Sequence, residues 1–226
     1  MVELQYFGHS FFKISGKNNI MLIDPIFDST KSNCEKFKKI PIKKNDLERI
    51  DLILLTNDLA EHFDKEAVEE IANKNNATVV AHDSILNELK IPRNLKTSII
   101  QSNEIFLNGF KIKPTIAHCP QCFCPTGFVI DCDGKKIYHA GVTMLLETFS
   151  SIKTDVAILP LSNRSMDVVD VVRAAKIMKP KTLIPMQYDI FENLKNDPID
   201  LKKRISESVL NTQTIILAPG KKVKIF

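Results

Sequence analysis

Apolar positions along this chain follow two alternating periods. Residues 2–7 and 10–14 alternate apolar with polar side chains, as half-buried strands do, and Gly8-His9 interrupts them. Gly16-Lys17-Asn18-Asn19 is a turn signal ahead of the apolar run Ile20-Met21-Leu22-Ile23, which stops at Asp24-Pro25. Leu52-Ile53-Leu54-Leu55 and Val156-Ala157-Ile158-Leu159 are unbroken apolar runs, the pattern of strands covered on both faces. Over 64–75 the period changes: Ala67, Val68, Ile71 and Ala72 fall on one helical face. Further helices are predicted over 83–90, 167–178 and 198–209, the second introduced by the N-cap signal Ser165-Met166-Asp167. Strands are predicted at Thr78-Val79-Val80, Thr182-Leu183-Ile184, Thr214-Ile215-Ile216-Leu217 and, as an edge, 222–226. Two hairpins, near 98–113 and 126–138, turn at Asn108-Gly109 and Asp133-Gly134. Residues 26–50 are polar and lysine-rich, a long loop with a short helical piece near Asp46-Leu47-Glu48-Arg49.

The pattern repeats. Residues 51–82 and 155–186 align without a gap at an offset of 104, Asp51-Leu52-Ile53-Leu54-Leu55 on Asp155-Val156-Ala157-Ile158-Leu159. A hairpin precedes each unit, turning at Gly16-Lys17 and at Gly134-Lys135. Each half therefore reads hairpin, strand, loop, helix, strand. Two such halves packed sheet against sheet, with helices outside, make a four-layer αββα sandwich of the α/β class, expected as a single domain over 1–226. Loops at one edge of both sheets then face each other and form a site.

Composition narrows the function classes. With 44% hydrophobic and 26% charged residues over 226 positions, the chain can bury a core without staples. No apolar run approaches a membrane span, and the start carries no secretory pattern, so a cytoplasmic protein with no membrane partner is expected. The net charge of +4 is modest. Lys36, Lys38, Lys39, Lys43 and Lys44 gather around Pro41 with only Phe37 among them, which reads as a solvated loop and argues against a nucleic-acid partner. The five cysteines, Cys34, Cys119, Cys122, Cys124 and Cys132, are odd in number and argue against a disulfide framework. Dinucleotide, P-loop and nucleophile-elbow motifs are absent.

Polar stretches that end the buried strands carry the candidate chemistry. They are Phe7-Gly8-His9-Ser10, Leu22-Ile23-Asp24-Pro25, Leu55-Thr56 through His62-Phe63-Asp64, His118, Tyr138-His139-Ala140-Gly141-Val142-Thr143, and Ile184-Pro185-Met186-Gln187-Tyr188. In order and spacing this set resembles the metallo-β-lactamase fold superfamily, within it the metal-dependent hydrolase group that includes ascorbate-6-phosphate lactonase-like proteins. The resemblance implies a site for two metals, usually zinc, held by a Thr-His-x-His-x-Asp-His loop and further ligands. At those positions this chain has Asn57, Leu59, Glu61 and His62, then His118, then Val142 for the bridging Asp and Gln187 for the last His. Leucine and valine donate nothing to a metal, and amide oxygens suit hard cations better than zinc. His62, His118 and Glu61 remain as candidate ligands. His9, Asp24 and His139 match positions behind the ligands, where such residues orient them; each also reads as a buried, hydrogen-bonded side chain, Asp24 capping the turn before Pro25.

One feature departs from the family pattern. Cys119-Pro120-Gln121-Cys122-Phe123-Cys124-Pro125 follows His118. Three thiols at this spacing beside a histidine suit one zinc or an iron–sulfur centre. Cys119 and Cys122 also have the spacing of a redox dithiol, though no helix start is predicted there. Free thiols in a partly buried loop are the plain alternative, and Cys34 and Cys132 read as inert. Three functions follow. The first is a catalytically degenerate relative that binds a protein or small molecule at the old active-site edge, with no cofactor. The second is a hydrolase with an altered single-metal site on His62, His118, Glu61 and Asp58. The third is a zinc, iron or redox module on Cys119, Cys122 and Cys124. Homo-oligomerisation is left open. Leu59 and Val142 are expected to give the pocket a partly apolar floor.

Overall fold

Turn chemistry and the two apolar periods set the architecture. The computed structural model describes residues 1–27, 40–47, 49–100, 104–188 and 196–226. Cys34, Lys36, Lys38 and Lys39 lie outside the described residues. The first sheet contains β1 (Val2–Gly8), β2 (Phe11–Ser15), β3 (Ile20–Ile23), β4 (Leu52–Leu54), β5 (Thr78–Ala81) and β6 (Lys96–Ser98). The second contains β7 (Ile105–Leu107), β8 (Phe110–Ile116), β9 (Thr126–Cys132), β10 (Lys135–His139), β11 (Val156–Pro160), β12 (Thr182–Met186) and β13 (Gln213–Thr214). The last strand, β14 (Lys222–Ile225), returns to the first sheet and pairs with β1.

Both sheets have seven strands, ordered β14-β1-β2-β3-β4-β5-β6 and β7-β8-β9-β10-β11-β12-β13 when read in matching direction. In each, three antiparallel pairings are followed by three parallel ones. The expected repeat is thus a repeat of sheet topology. Its hydrogen bonds repeat too. Asp51 Oδ2 accepts from Ile20 N–H at 2.8 Å, and Asp155 Oδ2 accepts from Lys136 N–H at 3.0 Å. One correction applies: the strands match at an offset of 104, but the helices match at 103. Asp64 and Asp167 are the N-caps of α1 (Lys65–Asn75) and α3 (Val168–Met178), and each accepts from a first-turn N–H. An extra residue after α3, in Lys179-Pro180-Lys181, restores the strand register.

Four layers follow from three cores. Phe12, Leu54, Phe128, Ile158 and their neighbours from both sheets interdigitate between the sheets. Val68, Ile71 and Ala72 of α1 and Ile85 of α2 (Asp83–Glu88) cover the outer face of the first sheet. Val171, Ala174 and Ala175 of α3, with Leu201 and Ile205 of α4 (Pro198–Ser206), cover that of the second. Both predicted Asn/Asp-Gly hairpins are present, with positive φ at Asn108, Gly109, Asp133 and Gly134, as their turns require. Smaller expectations shift. The helical piece in the lysine-rich loop is a single turn at Lys44–Asp46, and the strand expected over 214–217 is the two residues of β13. Among the described residues no helix is long and apolar enough to cross a membrane.

Phe128 is fully buried between the sheets. Phe128→Ala is therefore expected to lower unfolding free energy by about 3–5 kcal/mol, measured by denaturant titration.

Candidate functional site

The site lies where the carboxyl ends of β3, β4, β10, β11 and β12 meet, the edge at which open α/β sheets place ligands. Strand direction delivers Asp24, Thr56, His139 and Gln187 there as each strand runs out. His62 arrives on the loop after β4, two residues before the Asp64 N-cap of α1.

Asp24 and His62 are both fully buried. Asp24 Oδ1 accepts from Thr56 N–H at 2.8 Å, and its Oδ2 accepts from the Thr56 hydroxyl at 2.6 Å and from His62 Nδ1–H at 2.7 Å. That carboxylate assigns the His62 proton to Nδ1, which leaves Nε2 an acceptor. Gln187 fills it: its Nε2 amide donates to His62 Nε2 at 3.1 Å. Both ring nitrogens of His62 are thereby occupied by protein groups. Ser10 Oγ lies 3.0 Å from His62 Nδ1 and 2.9 Å from His9 Nδ1, within hydrogen-bond distance of both rings. Asn57, also fully buried, donates to Thr56 Oγ1 at 3.0 Å and accepts from Leu59 N–H at 3.0 Å.

Several of these bonds cross between the sheets. Gln187 N–H donates to His9 O at 3.2 Å, and Thr126 N–H to Thr56 O at 2.8 Å. His139 Nε2–H donates to Ser10 O at 3.2 Å, while its Nδ1 accepts from Gly141 N–H at 3.2 Å. Gly141, at φ +63°, is needed here, because a Cβ would lie 2.9 Å from Thr126 O. His9, Asp24 and Gln187 adopt positive φ without being glycine, at 55°, 46° and 65°. Such backbone costs on the order of 1 kcal/mol or more at each position and persists only where surrounding contacts over-determine it.

Burial dominates the electrostatics. It pulls the His139 imidazole down to about 4, against weaker opposition from Asp24 and the Ser10 carbonyl. It holds His9 well below the usual histidine range, reinforced by His62, His139 and Arg164. Protonating His139 would also break the Gly141 bond.

A cavity of about 400 Å³ opens over this network. His9, His62 and Gln187 line its inner wall, and Leu59 and Val142 supply the apolar floor expected of them. Glu61 and Arg164 also line it and pair with each other at 3.4 Å, beside Ser162 and Gln121. Arg164 and Ser162 were not singled out in the sequence. The repeat could have found them, since their loop leaves β11 as the Asp58 loop leaves β4.

Of the remaining candidates, Cys119 lines the cavity and His118, Asp58, Cys122 and Cys124 do not. His118 is exposed; its backbone N–H donates to Thr143 Oγ1 at 3.0 Å, and it is absent from the residues lining the cavity. Asp58 Oδ1 accepts from Phe123 N–H at 2.9 Å and so anchors the cysteine loop. Of the set His62, His118, Glu61 and Asp58, His62 and Glu61 line the cavity, and His118 and Asp58 do not. The expected three-thiolate arrangement also needs correction. Cys119 and Cys122 are joined in a disulfide, with Cα atoms 5.4 Å apart. Cys124 is a free thiol packed with the first sheet's outer core, near Ser84 and Asp58. Cys132 is buried between the sheets, and burial pushes its thiol up to about 12.

Together the sandwich and this edge define a β-lactamase superfamily domain. A family model of that description matches residues 3–187, and the chain belongs to that family. Relatives named UPF0173 metal-dependent hydrolase include those of Methanosphaera stadtmanae, 32% identical with 97% of each chain covered, and of Aeropyrum pernix, 31% identical with 97% of this chain and 96% of that one covered. Among solved structures, the metallo hydrolase Igni18 from Ignicoccus hospitalis superposes with a TM-score of 0.81 at 24% identity, covering 98% of this chain and 97% of that one.

The residues at this edge do not fit the two-metal centre that the resemblance implies. Leu59 and Val142 present hydrocarbon to the cavity, and His62 has no ring nitrogen left. Among the described residues, no group of three or more His, Cys, Asp or Glu side chains is placed to hold a metal ion.

Two outcomes are expected. Asp24→Ala leaves two Thr56 donors buried without their acceptor and takes from His62 Nδ1–H its 2.7 Å carboxylate partner, and should cost about 3 kcal/mol or more in denaturant unfolding. The second concerns pH. His139 is depressed to about 4 in the folded chain but titrates near its ordinary 6.5 when unfolded. The unfolded state therefore binds more protons between those values. Stability should fall as pH drops through that window. His139→Gln, which keeps a donor and an acceptor, should flatten this part of the stability–pH profile.

Proposed function

We propose that this chain is a ligand-binding member of the superfamily whose pocket works without a metal. One observation carries the reading: both ring nitrogens of His62, a candidate ligand on the cavity's inner wall, are spent on Asp24 and Gln187. The pocket volume suits a small molecule. The Glu61–Arg164 pair, the Ser162 hydroxyl and the Gln121 amide favour a polar occupant, while Leu59 and Val142 favour one with a hydrocarbon portion. In this reading Gln187 serves as the structural partner of His62, and the metal-dependent activity named for the relatives is not carried over.

Metal content tests this. Protein purified without a histidine tag and dialysed against zinc or manganese should retain neither stoichiometrically by elemental mass spectrometry. Restoring the family's donors, with Asn57→His, Leu59→His, Glu61→Asp, Val142→Asp and Gln187→His together, should produce stoichiometric zinc uptake. One equivalent of metal on the unaltered chain, lost in His62→Ala, would replace this reading with a single-metal hydrolase.

A further inference from the structure

We propose that Cys119 and Cys122 form a thiol–disulfide exchange site, at which a low-molecular-weight thiol seated in the cavity attacks Cys119. The inference stands apart from the ligand-binding reading and needs only the cavity and the loop.

The loop presents one sulfur to each side. Cys119 is 4% exposed and lies on the cavity wall, whereas Cys122 is half-buried and reaches solvent. Cys122 N–H donates to Cys119 O at 3.1 Å, so a tight turn holds the two residues together. Anchors on either side do not involve sulfur. His118 is held by Thr143 Oγ1 at its N–H and by Met144 N–H at its carbonyl, and Phe123 N–H is held by Asp58. Opening the disulfide therefore leaves the turn, and both thiols, in place to re-form it. The other described cysteines contrast with this pair. Cys124 and Cys132 sit in hydrophobic cores, where burial raises their thiols and disfavours the reactive thiolate.

The exchange balances as follows. A thiolate R–S⁻ in the cavity forms a bond to Cys119 Sγ as the Cys119–Cys122 bond breaks. Cys122 departs as a thiolate and takes a proton from solvent. A second thiol attacks the mixed disulfide, forming R–S–S–R and releasing Cys119, which takes up that thiol's proton. Two thiols are oxidised by two electrons, the protein disulfide is reduced to a dithiol, and R–S–S–R reverses the sequence. Attack on Cys119 is favoured because its partner can leave into water. The enclosed setting of Cys119 selects a small thiol.

The test uses the full chain and oxidised 2-mercaptoethanol. Wild type equilibrated with this disulfide should show Cys119 and Cys122 protected from alkylation by peptide mapping. Adding 2-mercaptoethanol should expose both while the circular dichroism spectrum stays native. Cys122→Ser should acquire a 2-mercaptoethanol adduct on Cys119, located by peptide mapping. Filling the cavity in that background with Val142→Phe, or with Leu59→Trp should the first not fold, should slow adduct formation by about tenfold or more, because exchange depends on access. Alkylatable Cys119 and Cys122 after oxidation would overturn the proposal. So would a disulfide that yields only when the chain unfolds, or adduct formation at an unchanged rate with the cavity filled.

Discussion

Asp24 and His62 lie fully buried at the junction of the two sheets, and the 2.7 Å hydrogen bond between them organises that junction. An imidazole buried this deeply must satisfy both nitrogens within the protein. Asp24 serves one and Gln187, from the opposite sheet, serves the other. Thr56 orients the carboxylate, and Asn57 orients Thr56. The strained backbone at His9, Asp24 and Gln187 belongs to this arrangement, since each lies at a strand end turned inward to reach it. The cavity above takes its shape from what these residues leave open.

The fold explains why such a junction exists. Two topologically matching sheets bury a shared apolar core and cannot pair edge to edge, so their strand ends must be tied by other means. The bonds from Gln187 to His9, Thr126 to Thr56 and His139 to Ser10 do this with backbone groups that the sheets leave unpaired. Hydrogen-bonding and hydrocarbon side chains occupy this edge. A polar network of this kind is costly when half satisfied and rigid when complete.

Much of the architecture was legible because it rests on local patterns. The unbroken apolar runs at 52–55 and 156–159 gave buried strands, and the Asn-Gly and Asp-Gly pairs gave hairpins. That His9, Asp24, His62 and His139 gather at one edge was legible from motif order. Other features were not. Positive φ at His9, Asp24 and Gln187 carries no glycine to announce it. The one-residue shift between the repeats hides behind Pro180, where strand and helix signals fade. His118 lies two residues beyond the end of β8, and spacing alone does not say which way such a residue turns. The pairing of Cys119 with Cys122 sits in a loop whose Phe123 N–H is held by Asp58, a contact between segments 65 residues apart that spacing does not announce.

The whole junction depends on the protonation and engagement of one imidazole, which nitrogen-15 spectroscopy of the histidine side chains reads directly. His62 should show a protonated Nδ1 and an unprotonated, hydrogen-bonded Nε2, and saturating zinc should leave both resonances unmoved. A His62 Nε2 resonance that shifts to a metal-bound position on adding zinc would contradict it.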